Sequence, residues 1–436
     1  MNNAAEFAES LIDFIHRSPS PFHVTANALA LLSKAGFERL DPAAPWTLER
    51  GGRYLVAVNG SAFIAFVVGT ADVADDGFRV IQTHTDSPTI RIKPRPEIAA
   101  RNRYLTLNAE VYGSPIFNTW LDRPLTMAGR VSLRGEDPFA PVDRLVAFDT
   151  AVAYIPNLSI HHNKQVNSGI ALNPQKDLLP MIGMVSPDRA AGGTVLDLVA
   201  GQIGVTPDEI LDVELSLSEF ERGTVVGTAG EFISSTRLDN LSLLHAGVHA
   251  LSRCDDDGNA VGATRVLCCV DNEEVGNRSP QGADSPMMAA VLERIALATG
   301  GGREEYLRAL HRSFMFSADV SHALHPNIHD RSDPHVETVI NGGVVAKFSG
   351  AQKFTSDSSS IATFRGLCED AGVPWQFYAN RADSPGGSAA GTASVTQAPM
   401  RSVDVGIPIL AMHSIREMCG VDDNFNALRL FSVMFS

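Results

Sequence analysis

Residues 78–88 read FRVIQTHTDSP, an apolar run that leads directly into His84 and Asp86. Short apolar runs of this kind, bounded by turn-forming residues, are typical of buried strands. Three other apolar runs also end at acids or at a histidine: residues 266–270 precede Asp271, Glu273 and Glu274, residues 314–317 precede Asp319, and residues 407–412 precede His413. Asp239 is a further acid, at the start of a predicted helix. The pattern predicts several strands that carry polar side chains at the same end.

In an open α/β sheet, ligands bind in the crevice outside the carboxyl ends of the strands. If the four runs are neighbouring strands, their histidines and acids converge on one edge of the sheet. Carboxylates packed together raise each other's pKa, and bound cations remove that cost. Mixed histidine and carboxylate ligands suit zinc and can also hold manganese or cobalt. Each residue alone also fits a simpler role, such as a helix cap or a solvated loop residue. Their repetition at equivalent places favours a metal site.

The remaining sequence predicts an α/β fold, with a central mixed β-sheet flanked by helices and an inserted, mostly β domain. Helices are predicted over residues 4–17 and 24–35, and Asn59-Gly60 predicts a hairpin between strands 54–58 and 62–68. Short β-like segments separated by prolines and glycines replace this pattern over about residues 93–225, and α/β alternation resumes after residue 238. We therefore expect a catalytic domain of residues 1–92 plus 230–436 and an inserted domain of residues 93–229.

Composition excludes several classes of function. The net charge of -15 argues against a nucleic-acid-binding surface, which needs clustered lysine and arginine. The five cysteines have no zinc-binding spacing, which favours a reducing, cytoplasmic environment. The N-terminal residues do not resemble a signal peptide, and no apolar run predicts a membrane span. The acidic run at residues 255–259 lacks the spacing of a calcium loop and predicts a solvated turn.

Several longer strings resemble signatures of one family. They are HTDSP at residues 84–88, RLDN at 237–240, DNEEVG at 271–276, SAD at 317–319 with His322 and His325, and LAMHSIRE at 410–417. Their identity and order resemble the aspartyl aminopeptidase family in its bacterial form, and they span nearly the whole chain. The resemblance implies a zinc-exopeptidase-like fold.

The resemblance also implies a division of roles within the site. It implies five metal ligands, which are His84, Asp239, Glu274, Asp319 and His413. It divides them into a first set of His84, Glu274 and Asp239 and a second set of Asp319, His413 and Asp239, so that Asp239 bridges two zinc ions. Asp86 would orient His84 through a hydrogen bond. Glu273 would take a proton from the metal-activated water and pass it to the leaving amine.

For substrates, the resemblance implies peptides with a free N-terminus, preferably beginning with Asp or Glu. A buried substrate carboxylate requires a cation, and Lys347 and Arg381 lie in segments similar to the family's substrate-binding region. Lys347 also fits an edge-strand lysine that discourages aggregation. The loop at residues 384–388 is expected near the substrate, with a plain turn as the alternative.

The resemblance further implies a homo-oligomer, a dodecamer in the family. His161 matches a histidine that reaches the active site of a neighbouring subunit, which implies a catalytic role in stabilising the tetrahedral oxyanion. His162 is the reserve, and a surface histidine pair is the simpler interpretation. His322 and His325 are candidates for supporting the metal ligands or stabilising the oxyanion, with a helix cap as the alternative, and His325 is also a candidate for binding substrate.

Three alternative functions remain at this stage. The first is a related dinuclear metallohydrolase, either a neutral aminopeptidase, a deacylase or a carboxypeptidase. The second is a binding protein with a vestigial site, against which the intact Glu273 argues, because a structural site needs no base. The third is a nucleophilic hydrolase, which the absence of a Gly-x-Ser-x-Gly motif argues against.

Overall fold

The computed structural model describes residues 3–185, 194–254, 261–384 and 386–436. The predicted turn at residues 255–259 lies outside the described residues, as does Pro385 of the loop at 384–388. The helices are α1 (Ala4–His16), α2 (Pro21–Lys34), α3 (Val73–Asp76), α4 (Pro174–Asp177), α5 (Thr194–Ile203), α6 (Leu238–Ser252), α7 (Met287–Ala298), α8 (Arg303–Arg312), α9 (Ser358–Ala371), α10 (Gly391–Gln397) and α11 (Val421–Met434).

The strands, in chain order, are β1 (Glu38–Arg39), β2 (Arg53–Val58), β3 (Ala62–Val67), β4 (Phe78–His84), β5 (Thr89–Ala100), β6 (Tyr104–Tyr112), β7 (Leu125–Leu133), β8 (Val142–Ala147), β9 (Met181–Met184), β10 (Ile210–Glu219), β11 (Thr224–Val226), β12 (Phe232–Ser235), β13 (Thr264–Val270), β14 (Phe314–Ala318), β15 (Ser321–His322), β16 (Val344–Phe348), β17 (Trp375–Ala379), β18 (Arg401–Gly406), β19 (Pro408–Leu410) and β20 (Glu417–Gly420). Within the described residues they form three sheets.

The largest sheet has nine strands in the order β1-β2-β3-β13-β4-β14-β18-β16-β17. Its centre is parallel, with β4 between β13 and β14, while β3 and β16 pair antiparallel to their inner neighbours. The predicted mixed sheet flanked by helices is therefore confirmed. The parallel centre matters for function because β4, β13 and β14 all end at the same edge.

Local sequence explains several of these elements. Asn3 caps α1 by accepting a hydrogen bond from the backbone N–H of Glu6, and Ser20 with Pro21 begins α2. The predicted hairpin is confirmed, with Asn59 (φ 49°) and Gly60 (φ 71°) joining β2 to β3. Both residues are in the left-handed region, as a tight hairpin turn requires.

One expectation about the sheet is wrong. Residues 407–412 are not a neighbouring strand of β4, because β19 pairs with β15 and β20 in a five-stranded sheet of order β11-β12-β20-β19-β15. The strand beside β14 is instead β18. Gly406 ends β18 against the backbone of Asp319, where an added Cβ would lie 2.1 Å from the carbonyl oxygen. The chain leaves the central sheet at this glycine, so His413 reaches the site from a loop.

The third sheet has six strands in the order β8-β7-β10-β5-β6-β9, all from residues 89–219. It has its own apolar core, which includes Leu107, Val131 and Val199. The division into two domains at residues 93 and 229 stays a prediction.

Two apolar layers cover the faces of the central sheet. Alternate residues of β4 and β13 point to opposite sides: Ile81 and Leu267 pack with α1, α6 and α11, whereas Val80 and Val266 pack with α7 and α8. None of the helices in the described residues is long and apolar enough to cross a membrane.

A pair of histidines lies in the first of these layers. His245 and His249 are one turn apart on α6, with ring centroids separated by 4.5 Å, and His245 Nε2 lies 3.0 Å from Ser10 Oγ of α1. Burial lowers the pKa of His245 well below its usual value and that of His249 to about 4. Both rings are therefore neutral in the folded protein at neutral pH.

This pair predicts acid sensitivity of the α1–α6 packing. The unfolded chain binds protons below pH 6.5 that folded His245 does not, so stability is lost as the pH falls below that value. Between pH 6.5 and 5, we expect the free energy of unfolding of the metal-stripped parent to fall by about 2 kcal/mol more than that of metal-stripped His245→Gln. One proton bound only by the unfolded chain changes this free energy by about 1.4 kcal/mol per pH unit. Melting temperatures across this range measure it. His16→Gln, which alters an exposed histidine, should follow the parent. Parallel curves for all three proteins would contradict the prediction.

Candidate active site

The ends of the three central strands bring most of the candidate ligands together. His84 is the last residue of β4, and Asp319 directly follows β14. A 3-10 turn after β13, Glu273–Val275, carries both glutamates. Two further ligands come from outside the central sheet: Asp239 lies at the start of α6, before a cis peptide bond, and His413 lies after β19.

The distances among these side chains show which candidate ligands lie next to each other. His84 Nε2 lies 3.2 Å from Asp239 Oδ1 and 3.7 Å from Asp319 Oδ1. On the other side, His413 Nε2 lies 3.4 Å from both Asp239 Oδ2 and Glu274 Oε2. The structure therefore groups His84 with Asp319, and His413 with Glu274. These contacts favour a partition other than the expected one, which stays a prediction because His84, Glu273 and Glu274 form a further candidate group. Asp239 lies between the two groups, one oxygen towards each.

The donor atoms of this cluster suit a metal ion. Asp239 Oδ1 and Glu274 Oε1 are buried and have no hydrogen-bond partner among the described residues. Burial and the nearby Asp239 raise the pKa of Glu274 well above its usual value. Burial would also raise the pKa of Asp239, but the adjacent His413 and His84 hold it below its usual range. Unpartnered carboxylate oxygens facing imidazole nitrogens are the arrangement that a divalent cation stabilises.

Asp86 is fully buried and contacts both sides of this cluster. His84 Nδ1 lies 3.0 Å from the backbone carbonyl of Asp86 and 3.4 Å from its carboxylate, so the closer partner of the ring is the carbonyl. The Asp86 carboxylate accepts hydrogen bonds from the backbone N–H groups of Glu273 and Glu274 at 3.2 and 3.1 Å. It therefore fixes the turn after β13 as well as lying beside His84.

Glu273 faces the same cavity and forms a third candidate group with His84 and Glu274, whereas the other two groups share Asp239. Burial raises the pKa of its carboxyl to about 8, helped by repulsion from Asp319, Asp86 and Asp239. It lines a pocket of about 230 Å³ together with Asp239, Glu274, Asp319 and His413. A carboxyl group beside a metal cluster and open to a pocket can exchange protons with a bound substrate.

Glu417 is a site residue for which sequence reasoning found no role. It lies in the LAMHSIRE string, is buried, and accepts hydrogen bonds from the backbone N–H groups of Asp239 (3.0 Å) and His413 (2.8 Å). Burial and the nearby Asp239 raise its pKa to about 8. One carboxylate thus ties together two loops that carry candidate ligands. The one signal in the sequence was that Glu417 lies four residues after His413. No general rule links that spacing to hydrogen bonds with a metal-binding loop.

The wall of the same pocket also contains Lys347. Its side chain is buried, its Nζ lies 3.7 Å from Asp319 Oδ2, and the ring of Phe354 lies 5.4 Å away. Since β16 has neighbours on both sides, the alternative of an edge-strand lysine is wrong. His322 and Tyr378 also line the pocket, as do Gly387 and Ser388 of the loop at 384–388.

Three other predicted residues are not among those that line the pocket. Arg381 pairs with Asp383 at 2.6 Å and donates to the carbonyl of Asp330. His325 accepts hydrogen bonds from the two backbone N–H groups of residues 327 and 328, which is a turn-capping role. His161 is exposed in a loop after β8, next to the equally exposed His162. A role for any of them in binding substrate stays a prediction.

Comparison with known proteins agrees with this geometry. Residues 14–435 match the family described as "Aminopeptidase I zinc metalloprotease (M18)". The chain belongs to the M18 family of zinc aminopeptidases. A relative from Clostridium acetobutylicum named "Probable M18 family aminopeptidase 2" is 46% identical over 438 residues, covering 100% of both chains. One of the same name from Pseudomonas aeruginosa is 42% identical over 434 residues, covering 99% of this chain and 98% of its own.

Solved structures of this family share the fold. A chain in "Cryo-EM structure of the Ape4 and Nbr1 complex" is 35% identical with a TM-score of 0.94, covering 99% of this chain and 86% of that one. "Structure of S. cerevesiae mApe1 dodecamer" matches at 26% identity and a TM-score of 0.85, covering 98% of this chain and 96% of that one. The predicted family, its zinc dependence and the removal of N-terminal residues are confirmed; the ion count and acidic preference are not tested.

Replacing Glu417 should weaken zinc binding in this M18 enzyme. In Glu417→Gln, the side-chain amide can accept from one of the two backbone N–H groups but presents its own N–H to the other. Loss of a hydrogen bond that orients metal ligands costs about 10- to 100-fold in metal affinity or activity. Zinc retained against a competing chelator measures the effect. Glu369→Gln, at an exposed position on α9, should bind zinc like the parent. Equal zinc retention in both variants would contradict the role of Glu417.

Proposed function

We propose that this M18 enzyme removes N-terminal Asp or Glu from peptides and binds two zinc ions that share Asp239. The observation that carries the proposal is the pocket itself, in which the acid and histidine cluster faces a buried lysine. Manganese or cobalt would suit the same donors.

Two ligand groups support two ions. The first group is His84, Asp239 and Asp319, and the second is Asp239, Glu274 and His413. In each group the candidate donor atoms lie within 4.8 Å of one another. His413 Nδ1 lies 3.1 Å from the carbonyl of Ser114, which leaves Nε2 free for a metal.

Glu273 is the proposed base. When bound, zinc supplies Lewis acidity that polarises the scissile carbonyl and lowers the pKa of water. Glu273 takes the proton of the attacking water as the new C–O bond forms at the carbonyl carbon. It then gives that proton to the amine nitrogen, and the peptide C–N bond breaks as the amine leaves. Glu274, the next residue, is held towards His413 instead, because the backbone N–H groups of both glutamates are fixed by Asp86.

Lys347 supports the acidic preference. Among the described residues that line the pocket, it is the one lysine or arginine. The protein carries a net charge of -15, so an acidic side chain needs such a local cation. Its Nζ is 3.7 Å from Asp319, far enough to leave hydrogen-bonding capacity for a substrate carboxylate. Arg381 is already paired with Asp383 and supports this less well.

A neutral aminopeptidase on the same machinery is the second candidate. Phe354, Tyr378 and Met412 give the pocket an apolar wall, and Asp319 partly balances the charge of Lys347. These features favour uncharged first residues as well. The choice between the two candidates therefore depends on whether Lys347 contacts the substrate.

We also propose a large homo-oligomer in the cytoplasm. The S. cerevesiae mApe1 structure is described as a dodecamer, and the loop that carries His161 exposes Leu158 (63%) and Ile160 (49%). Exposed apolar side chains in a loop suit a contact between subunits, and such a contact would place His161 near a neighbouring site. No disulfide joins any of the five cysteines within the described residues, which fits a reducing compartment.

A substrate panel tests the activity. The zinc-loaded protein should cleave Asp- and Glu-anilides faster than Leu-anilide and should leave N-acetyl-Asp-anilide intact. Glu273→Gln should lose about 10²- to 10⁴-fold in kcat, the usual contribution of a general base. Cleavage of the acetylated substrate, or full activity of the variant, would show the mechanism to be wrong. Faster cleavage of Leu would favour the neutral aminopeptidase.

Replacing Lys347 tests the specificity. Lys347→Met removes the charge and keeps most of the volume. We expect kcat/KM for Asp- and Glu-anilides to fall about 10- to 100-fold, the value of a charged hydrogen bond of about 1.5–3 kcal/mol. Cleavage of Leu-anilide should persist. Lys34→Met, at the exposed end of α2, serves as the control. An equal loss of kcat/KM on acidic and neutral substrates would mean that Lys347 does not recognise the side chain of the substrate's first residue.

A further inference from the structure

The turn at residues 272–276 controls where Glu273 and Glu274 point. Asn272 (φ 62°) and Gly276 (φ 97°) both adopt the left-handed conformation, and the chain between them is a single 3-10 turn. So short a turn is held by few hydrogen bonds of its own, such as that from the N–H of Asn277 to the carbonyl of Asn272 (2.8 Å). Contacts from neighbouring elements must therefore fix it.

The hydroxyl of Tyr112 contacts this turn in two ways. It donates to Asp86 Oδ2 at 2.6 Å, and Asp86 in turn accepts from the N–H groups of both glutamates. It also accepts from Asn272 Nδ2 at 2.9 Å. Tyr112 is buried, and its ring packs under the Arg91 guanidinium at 4.0 Å. One hydroxyl thus bonds the first residue of the turn and the carboxylate that holds the next two.

The chain that follows Tyr112 continues along the same site. Gly113 (φ 72°) passes so close that an added Cβ would lie 3.2 Å from Glu274 Cβ. The carbonyl of Ser114 lies 3.1 Å from His413 Nδ1, and the N–H of Ile116 donates to the carbonyl of His413 at 2.9 Å. Residues 112–116 therefore contact the proposed base turn and two of the proposed ligands.

This segment comes from the six-stranded sheet, since Tyr112 is the last residue of β6. We propose that residues 112–116 make this sheet part of the catalytic unit within a single chain, with Tyr112 as a positioning residue for Glu273. The inference rests on the proposed role of Glu273 as the base. Tyr112 does not touch the substrate; it acts through Asp86 and Asn272 on the direction of the glutamates.

The test removes the hydroxyl alone. Tyr112→Phe keeps the ring and its contact with Arg91, so the fold is retained. In the zinc-loaded enzyme, kcat should fall about 10- to 100-fold, as is typical when a residue that orients the groups of a metal site loses its hydrogen bond. KM should change little because the lining of the substrate pocket remains, and kcat is compared per bound zinc because Glu274 is also a proposed ligand. Tyr104→Phe, at the exposed start of the same strand, is the matched control and should keep the parent kcat.

Two outcomes would overturn the inference. One is a parent-like kcat in Tyr112→Phe, and the other is a loss of zinc with unchanged kcat per bound zinc, since the residue would then act on metal retention. Glu273→Gln measured beside it separates the two proposals. If that variant is inactive while Tyr112→Phe is unaffected, the inference fails and the proposed function stands. If Glu273→Gln keeps full activity, the proposed base itself is wrong.

A second variant tests whether Tyr112 acts through the turn at residues 272–276. Asn272→Gly keeps the left-handed backbone and removes the amide that contacts Tyr112. If both residues act through the same turn, the combined loss in kcat of the double variant is smaller than the product of the two single losses. Fully multiplicative losses would mean that Tyr112 does not act through this turn.

Discussion

The site depends on the burial of several carboxylates in one small space. Asp86, Asp239, Glu274 and Glu417 are almost fully withdrawn from water, and Glu273 and Asp319 lie beside them. In such a place like charges repel and lose their hydration, which is why the pKa values of Glu273, Glu274 and Glu417 are raised. Zinc, which this family uses, removes that cost. Metal binding and the stability of the site are therefore linked.

Two carboxylates outside the candidate ligand groups hold the others in place. Asp86 accepts from the N–H groups of the Glu273–Glu274 turn, and Glu417 accepts from those of Asp239 and His413. Each therefore joins segments that are far apart in the chain. All three sheets contribute: the central sheet supplies His84, the five-stranded sheet supplies Glu417, and the six-stranded sheet supplies Tyr112. Because the bonds are to backbone N–H groups, they fix the path of the chain as well as its side chains.

Much of the fold was predictable because its signals are local. The Asn59-Gly60 hairpin, the α1 helix and the apolar strands β4, β13 and β14 follow from neighbouring residues. The misplaced strand at residues 407–412 shows the limit of such signals. An apolar run looks the same in any sheet, and the departure at Gly406 depends on contact with the distant Asp319 backbone. Likewise, the contact of Glu274 with His413 depends on the direction of a turn.

By itself, the sequence determined the α/β class, the residues of the candidate site and the family, since these follow from short-range periodicity and from strings of consecutive residues. The tertiary structure alone decided which ligands face each other, that Lys347 is buried in the pocket while Arg381 pairs with Asp383, and that Tyr112 and Glu417 support the site. The physical reason is that hydrogen bonds and charge contacts act over a few ångströms. Residues 112 and 272, or 239 and 417, come within that range only when the chain has folded.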